Sequence, residues 1–343
     1  MTDLSKLVRE NVKALIPYSC ARDEFKGKDG VFLDANENPY GILNRYPDPY
    51  QRELKTSISK IKGIPQENIF LGNGSDEIID LCFRIFCNPG TDKALTFTPT
   101  YGMYEVSAAI NDVQLIKIPL SDDFQIEYKS VLPQLKDPDL KLIFICTPNN
   151  PTGNSMIGFE IESIILGFNG IVVIDEAYID FSDKRSFKTM INSYSNLIVM
   201  QTFSKAMGLA AARVGMAFMD PSIVLYFNKM KPPYNISTLN QEAALKSLKH
   251  IDLLKNNISR IIKERERLAN ALEKMSIIEK VFPSDSNFLL VKTRNADIIY
   301  TELIENKIIV RNRNKMVPGC IRITVGTERE NNKLLTALQK IKL

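Results

Sequence analysis

The sequence predicts an α/β fold in which a large domain with a buried, mostly parallel sheet is followed by a smaller α+β domain. Short apolar, β-branched runs alternate with longer stretches of helical periodicity, which is typical of parallel strands joined by crossover helices. Several runs, such as IVVID and LIVMQ, are continuously apolar, as expected of strands covered on both faces. After Pro232 and Pro233 the pattern changes to a long charged amphipathic helix, short strands and a terminal helix.

The apolar runs predict the positions of the strands and of the linking helix along the sequence. Strands of the large domain are predicted at 69–72, 94–97, 114–118, 142–146, 171–175, 197–201 and 216–219. The linking helix is predicted over about 239–275, and the small-domain strands in NFLLV, KIIVRN and CIRITV. We therefore expect three parts, namely an N-terminal arm with part of the small domain (1–45), a large domain (46–235), and the linking helix with the small C-terminal domain (236–343).

Composition excludes several classes of protein. The 343 residues carry a net charge of only +4, and acidic residues interrupt the basic runs, which argues against a nucleic-acid surface. The 5 cysteines are odd in number and form no CxxC pair, so neither a disulfide framework nor a metal site is expected, and most should be small core residues. The charged N-terminus and the lack of a long apolar run predict a cytoplasmic protein without a membrane segment.

Polar side chains follow the predicted strands where α/β sheets bind ligands. Lys205 comes directly after the strand LIVMQ, although a single lysine there is more often an ordinary solvated side chain. Asp175 ends the strand IVVID, with Tyr178 three residues on. A carboxylate in that place suits the protonated pyridine nitrogen of a pyridoxal 5′-phosphate (PLP) cofactor. The alternatives are a Mg²⁺-binding carboxylate or a helix N-cap, but the nucleotide loop GxxxxGK[ST] is absent.

Two glycine-containing loops complete the set. TPNNPTG follows the strand LIFIC, where it forms either a plain turn or part of a site. GNGSDE opens a helix after another short strand, so free backbone N–H groups there can bind a phosphate. A simple capped loop is the alternative for one such motif, but four strand-end motifs in one chain favour a ligand site.

The ordered motifs resemble those of the fold-type-I PLP aminotransferases and, within them, the histidinol-phosphate aminotransferases. The resemblance covers almost the whole chain and rests on Pro17-Tyr18, LDANENPYG (33–41), NRYPDP (44–49), GNGSDE (72–77), PTYGMY (99–104), TPNNPTG (147–153), IDEAY (174–178), FSKAMGLAAARVG (203–215) and RITVG (322–326). It implies PLP-dependent transferase fold type I, in which helices sandwich a mostly parallel seven-stranded sheet.

Carried over by position, the resemblance implies a cofactor site at the strand ends. Lys205 would be the Schiff-base lysine and Asp175 the partner of the pyridine nitrogen. Asn150 and Tyr178 would donate hydrogen bonds to the phenolic oxygen. The other implied cofactor contacts are Tyr101, stacked on the ring, and Ser75, Asp76, Ser204 and Arg213 at the phosphate.

The resemblance also implies a homodimer with a shared site. Tyr46 would reach the cofactor phosphate of the neighbouring subunit. Arg322 would bind the anionic group of the substrate through its bidentate fork, and Tyr18, Asn36 and Arg311 would line the substrate pocket. Each of these residues could instead be an ordinary surface residue. That alternative applies most to Arg311, because Arg313 and Lys315 crowd it and the loop from 312 to 319 is short.

The chain departs from the family pattern after the lysine. After the lysine the family usually reads Ala-Gly-Leu-Arg, whereas this chain reads Ala210-Ala211-Ala212-Arg213, and Met216 lies where an aromatic residue is common. The spacing from Lys205 to Arg213 is kept, so we expect the phosphate contact to persist while packing beside the lysine differs.

The implied reaction is ping-pong amino transfer from L-histidinol phosphate to 2-oxoglutarate, giving imidazole acetol phosphate and L-glutamate in histidine biosynthesis. Lys205 would move the proton from Cα, because burial and the nearby cofactor favour its neutral amine. An aromatic amino-acid aminotransferase and a threonine-phosphate decarboxylase remain alternatives, while a DNA-binding regulator of this family would need a further module. His250, the single histidine, is placed in the charged helix, which argues against a Ser-His or metal hydrolase.

Overall fold

The computed structural model describes residues 4–18 and 30–341. The helices are α1 (Glu10–Ala14), α2 (Arg52–Lys62), α3 (Ser75–Phe86), α4 (Met103–Ile110), α5 (Tyr128–Val131), α6 (Gly158–Gly167), α7 (Pro221–Met230), α8 (Thr238–Lys249), α9 (Ile251–Leu272), α10 (Ala296–Glu305) and α11 (Glu328–Lys340). The strands are β1 (Ile69–Asn73), β2 (Lys93–Thr98), β3 (Gln114–Pro119), β4 (Leu140–Cys146), β5 (Ile171–Asp175), β6 (Leu197–Thr202), β7 (Val214–Phe218), β8 (Ile278–Val281), β9 (Phe288–Thr293), β10 (Arg311–Asn312) and β11 (Cys320–Thr324).

The large sheet has seven strands in the order β1-β7-β6-β5-β4-β2-β3. The pairs from β6 through β5, β4 and β2 to β3 are parallel, which confirms the predicted fold class. β7 alone runs antiparallel to both of its neighbours. The chain between β6 and β7 spans only 203–213 and contains turns, so it has no room for the helical crossover that a parallel return requires. This reversal keeps both ends of that short connection at one edge of the sheet.

Helices cover both faces of the large sheet, as the continuously apolar strands predict. In β5, Val172 and Ile174 pack with α2, α6 and α8 on one face. Ile171 and Val173 pack with α3, α4 and α7 on the other face. Because successive side chains of a strand point to opposite faces, a strand buried on both sides must be apolar throughout.

The second sheet is antiparallel, in the order β10-β11-β9-β8, and packs against α9, α10 and α11. β8 was not predicted, and the predicted strand KIIVRN is reduced to the two residues of β10. The predicted linking helix is two helices, α8 and α9, which meet at a non-helical His250. Lys249 is the last residue of α8 and Asp252 lies in the first turn of α9, so each charge lies at the helix end that its sign favours. The division of the chain at 45 and 235 stays a prediction.

The N-terminal part of the described chain contributes little regular structure. Residues 30–50 contain no helix or strand. Several large apolar side chains of this segment are exposed, namely Val31, Leu33, Tyr40, Ile42 and Leu43. Cys20 lies outside the described residues, whereas the other cysteines are buried and free, as expected of small core residues. Within the described ranges, no helix combines the length and the apolar character needed to cross a membrane.

Candidate active site

The site lies where the parallel strands of the large sheet end. Asn150 follows β4, Asp175 ends β5 and Lys205 follows β6, and these three strands are neighbours. Carboxyl ends of adjacent parallel strands share one edge of a sheet, and ligands of open α/β sheets bind there. The sequence prediction that these side chains share one region is thus consistent with the topology.

Asp175 is a buried carboxylate held by two hydrogen bonds. The hydroxyl of Tyr104 donates to Oδ2 at 2.8 Å, and the backbone N–H of Ala177 donates to Oδ1 at 3.0 Å. Burial raises the pKa of Asp175, while the two hydrogen bonds and the positive charge of Lys205 act in the opposite direction. A further positive charge placed against this carboxylate is therefore favoured.

Lys205 lies in a partly enclosed position beside an aromatic ring. Its Nζ is 5.6 Å from the ring centroid of Tyr178. Burial, and after it the charge of Arg322, lowers the pKa of Lys205, whereas Asp175 raises it. A lysine with a lowered pKa is neutral more often near pH 7, and the neutral amine is the form that acts as a nucleophile or base.

An anion-binding loop stands at the N-terminus of α3. Gly74 (φ +78°) precedes Ser75, the first residue of the helix, so the free N–H groups of the first turn point out of the helix end. Arg213 reaches this loop from beyond β6, and its Nη2 lies 3.2 Å from Oδ2 of Asp76. Its Nη1 donates to Oγ of Ser204 at 3.4 Å.

The close approach of β7 to this loop requires glycine. Gly215 pairs with Gly72 across the sheet, and a Cβ at Gly215 would lie 2.5 Å from the backbone nitrogen of Ser75. A Cβ at Gly74 would lie 2.6 Å from Nη2 of Arg213. Side chains at these positions would therefore push the loop away from the arginine.

An aromatic side chain borders the same loop. The hydroxyl of Tyr101 donates to Oδ1 of Asp76 at 3.1 Å, and its ring meets that of Tyr104 edge to face at 5.7 Å. Burial, followed by the charge of Asp76, raises the pKa of Tyr101. The hydroxyl therefore stays protonated, and the ring is fixed next to the residues around Asp175.

The second sheet contributes Arg322 to the site. This residue lies on β11, and its Nη1 donates to Oδ1 of Asn150, whose Nδ2 lies 3.5 Å from the hydroxyl of Tyr178. Its guanidinium is 5.0 Å from the ring centroid of Phe288. The Nε of Arg322 is buried and has no hydrogen-bond partner in the described chain. The guanidinium thus has donor capacity left for a ligand.

Three predicted residues lie apart from this cluster, and a fourth, Arg311, borders it. Asn36 and Tyr46 line a separate cavity of ≈ 450 Å³, and Tyr46 stacks on Tyr234 at 4.4 Å. Tyr18 is 74% exposed. Arg311 is exposed on β10, directly opposite Arg322 in the strand register. Their roles stay predictions.

The structure adds three residues that the sequence reading did not single out. Tyr104 ends the motif PTYGMY and binds Asp175. Glu176, next to Asp175, is buried and accepts hydrogen bonds from Ser186, Phe187 and Gln201. Arg313 lies within electrostatic range of Arg322 and Tyr178. Tyr104 and Glu176 belong to motifs already noted, whereas the signal for Arg313 was only its spacing of two from Arg311.

These groups fit pyridoxal 5′-phosphate. The helix terminus with Arg213 suits its phosphate, and the buried carboxylate of Asp175 suits a protonated pyridine nitrogen. The amine of Lys205 suits its aldehyde. A fold and a site of this kind define a PLP-dependent aminotransferase, and the chain belongs to the class I and II aminotransferases, whose family model matches residues 31–338.

Relatives within that family are similar over the full length. A histidinol-phosphate aminotransferase from Cytophaga hutchinsonii is 49% identical, with 98% of each chain covered. Another, from Parabacteroides distasonis, is 49% identical over 100% of both chains. The crystal structure of a histidinol-phosphate aminotransferase from Clostridium acetobutylicum superposes with a TM-score of 0.80 at 27% identity, covering 89% of this chain and 97% of that chain.

Proposed function

We propose that this chain transfers the amino group of L-histidinol phosphate to 2-oxoglutarate with PLP as cofactor, giving imidazole acetol phosphate and L-glutamate in histidine biosynthesis. The observation that carries the proposal is the 49% identity to curated histidinol-phosphate aminotransferases over the whole chain. The convergence of Lys205, Asp175 and Arg322 supports it, because amino transfer needs an amine base, a pyridinium partner and an anion-binding group.

Asp175 and Lys205 would carry the central chemistry. Bound PLP supplies an electron sink that stabilises the negative charge left at Cα when its proton is removed. Asp175 would keep the pyridine nitrogen protonated, and its hydrogen bonds to Tyr104 and Ala177 hold the carboxylate in place for that role. Lys205 would hold the cofactor through its side-chain amine, and the same amine, when free, would act as the base that takes the proton from Cα of the substrate.

The remaining strand-end residues would orient the cofactor. Asn150 and Tyr178, which lie 3.5 Å apart between Nδ2 and the hydroxyl, would donate to the phenolic oxygen. Tyr101 would stack on the ring. The phosphate would bind the backbone of Ser75 and Asp76, the hydroxyl of Ser204 and the guanidinium of Arg213.

Arg322 would bind the anionic group of each substrate. The amino donor carries a phosphate ester and the acceptor carries two carboxylates, so both half-reactions bring an anion to the same pocket. The Nε of Arg322 has no hydrogen-bond partner in the described chain, and one edge of a guanidinium offers the two-pronged geometry that carboxylate and phosphate oxygens accept. Arg311, opposite Arg322 in the strand register, would assist at the pocket entrance.

A second subunit would complete the site. The exposed apolar side chains of 31–43 are unusual for a surface facing water, and Ile42 is 99% exposed. Burial of this segment against another copy would remove that apolar surface from water and would let Tyr46, Tyr18 and Asn36 reach the neighbouring pocket. A cytoplasmic location remains a prediction from the sequence.

The dimer can be tested by sedimentation with one substitution. We expect the wild-type protein to sediment as a dimer and Ile42→Asp to shift it toward monomers with loss of activity, because a charge would then replace a buried apolar contact. Leu253→Asp, at an exposed position on α9, is the matched control and should stay dimeric. A wild-type monomer with full activity would contradict the shared site.

The reaction can be tested by adding L-histidinol phosphate, without any oxo-acid, to the PLP-loaded protein. The bound cofactor should become pyridoxamine 5′-phosphate, seen as a change of its absorbance band and by chromatography of the released cofactor. Conversion by phenylalanine but not by L-histidinol phosphate would favour an aromatic aminotransferase. Release of CO₂ from threonine phosphate would favour a decarboxylase, and no conversion by any amine would refute amino transfer.

A further inference from the structure

The two short strands of the second sheet place three arginines on one face. Arg311 pairs with Arg322 in the antiparallel register of β10 and β11. The ladder continues past β10, since the backbone N–H of Arg313 donates to the carbonyl of Cys320 at 3.0 Å. Side chains two apart on an extended strand point the same way, so Arg313 faces the side on which Arg311 and Arg322 lie.

The loop after β10 fixes that orientation. The amides of Asn312 and Asn314 each donate to a carboxylate oxygen of Asp297 at 2.7 Å, at the start of α10. The side-chain oxygen of Asn314 also accepts from the backbone N–H of Gly319 at 2.7 Å. The two asparagines therefore face α10, and Arg313, between them, is directed to the opposite side, toward the site.

Among the described residues, Arg313 has no acidic partner for its charge. Its Nε is buried and lacks a hydrogen bond within the described residues. No carboxylate within the described residues forms an ion pair with Arg311, Arg313 or Arg322. Burial, and after it the charges of Arg322 and Arg311, lowers the pKa of Arg313 to about 10, while Tyr178 acts in the opposite direction.

A cluster of guanidinium groups with no carboxylate is costly unless an anion joins it. Taking a cation partly out of water is unfavourable, and the mutual repulsion of neighbouring cations adds to that cost. A bound dianion offsets both the cost of desolvation and the repulsion between the guanidinium groups. Because the cluster borders Tyr178 and lies next to Lys205, the anion that it would accept belongs to the molecule reacting there.

We infer that Arg313 is a specificity-determining residue that binds the phosphate of the amino donor together with Arg322. The inference rests on the proposed function and deepens it. A phosphate monoester carries a charge of about −1.5 to −2 and three acceptor oxygens, whereas one guanidinium edge satisfies two oxygens. A second, partly buried guanidinium therefore favours a substrate whose far end is a phosphate ester over one that ends in a hydroxyl.

The test compares L-histidinol phosphate with L-histidinol, which differ only in the phosphate. Each is titrated into the PLP-loaded wild type, Arg313→Gln, Arg313→Lys and the control Arg294→Gln, and the half-saturating concentration is read from the cofactor absorbance. Arg294 is exposed near the end of β9 in the same sheet. Thermal denaturation of each variant reports whether the fold is intact.

We expect Arg313→Gln to raise the half-saturating concentration of L-histidinol phosphate about tenfold or more and to leave that of L-histidinol within about twofold. Arg313→Lys should recover part of the loss, because it restores charge without the fork. Equal losses for both amines, or no loss, with a responsive wild type, would refute the inference alone. A wild type that does not respond to L-histidinol phosphate would refute the proposed function and the inference with it.

Discussion

The two walls of the site differ in how far their polar groups are already satisfied. On the strand-end wall, formed by Asp175, Asp76, Tyr101, Tyr104, Ser204 and Arg213, the protein itself supplies hydrogen bonds to the charged groups. On the arginine wall, formed by Arg311, Arg313 and Arg322, buried Nε atoms of Arg313 and Arg322 have no partner in the described chain. The strand-end wall is therefore suited to a cofactor that stays bound. The arginine wall retains hydrogen-bond donors for substrates that bind and dissociate in each catalytic cycle.

Lys205→Ala should have the largest effect, because it removes the amine proposed to hold the cofactor and to move the proton. We expect amino transfer to fall about ten-thousandfold. The stability of the cofactor-free protein should not fall, since a partly buried cation next to Arg322 is lost. Single-turnover kinetics and thermal denaturation measure the two effects, with exposed Lys274→Ala as the control. Retained turnover would show that another group moves the proton.

Arg322→Gln tests the arginine wall directly. We expect kcat/KM for L-histidinol phosphate to fall about a hundredfold, because two charge-assisted hydrogen bonds to the substrate are lost. PLP affinity should change by less than about threefold, since the cofactor would be held by the strand-end wall. Steady-state kinetics and equilibrium dialysis of PLP measure the two quantities, with Arg294→Gln as the control. Equal losses in both would break the distinction between the walls.

Tyr104→Phe tests the strand-end wall by removing a single hydroxyl group. The change removes the donor at 2.8 Å from Oδ2 of Asp175 and leaves the ring in its apolar packing. We expect kcat to fall about tenfold, because the buried carboxylate, left with the hydrogen bond from Ala177, takes up a proton more readily and holds the pyridinium less well. KM for L-histidinol phosphate should stay within about twofold. Tyr226→Phe, on α7, is a matched control, and a selective rise in KM would contradict the assignment.

Glu176→Gln should change stability more than catalysis. Burial raises the pKa of Glu176 from 4.5 to about 7, although hydrogen bonds from Ser186, Gln201 and Phe187 act in the opposite direction. The folded protein therefore holds this proton more tightly than the unfolded chain. Its contribution is complete below pH 4.5 and is lost as the pH rises toward 7, by a few kcal/mol at most.

The glutamine variant should therefore show a smaller decline in melting temperature between pH 5 and pH 8 than the wild type, with kcat within about threefold. Differential scanning calorimetry across that range measures the decline. Glu67→Gln, at an exposed position, should reproduce the wild-type curve. An unchanged decline in Glu176→Gln would mean that another group is responsible for it.

The strand-end wall was the more predictable of the two from sequence. Lys205 and Asp175 stand at the ends of apolar runs, and the rules of parallel sheets bring such positions to one edge. Tyr104 reaches Asp175 from 71 residues away, so the sequence offered its motif but not its partner. The break at His250 escaped prediction because apolar and charged positions continue across it without proline or glycine.

The arginine wall was harder to predict because it depends on the direction in which each arginine side chain points. Arg311 and Arg313 are equally basic in the sequence, and only the pairing of β10 with β11 and the anchoring of Asn312 and Asn314 separate their environments. Arg311 is exposed, whereas Arg313 is partly buried. The contribution proposed for Tyr46 would depend on a second chain, so the contacts within one chain do not reveal it.

The anchoring of the loop after β10 also bears on evolvability. Asp297 and the two asparagines fix the backbone of this segment, so the side chain at 313 can change without altering the path of the chain. The contacts described for the loop after β10 do not involve the N-terminus of α3, which would bind the phosphate of the cofactor. A lineage can therefore acquire a new amino donor by exchanging a few residues here, while the chemistry at Lys205 is inherited unchanged.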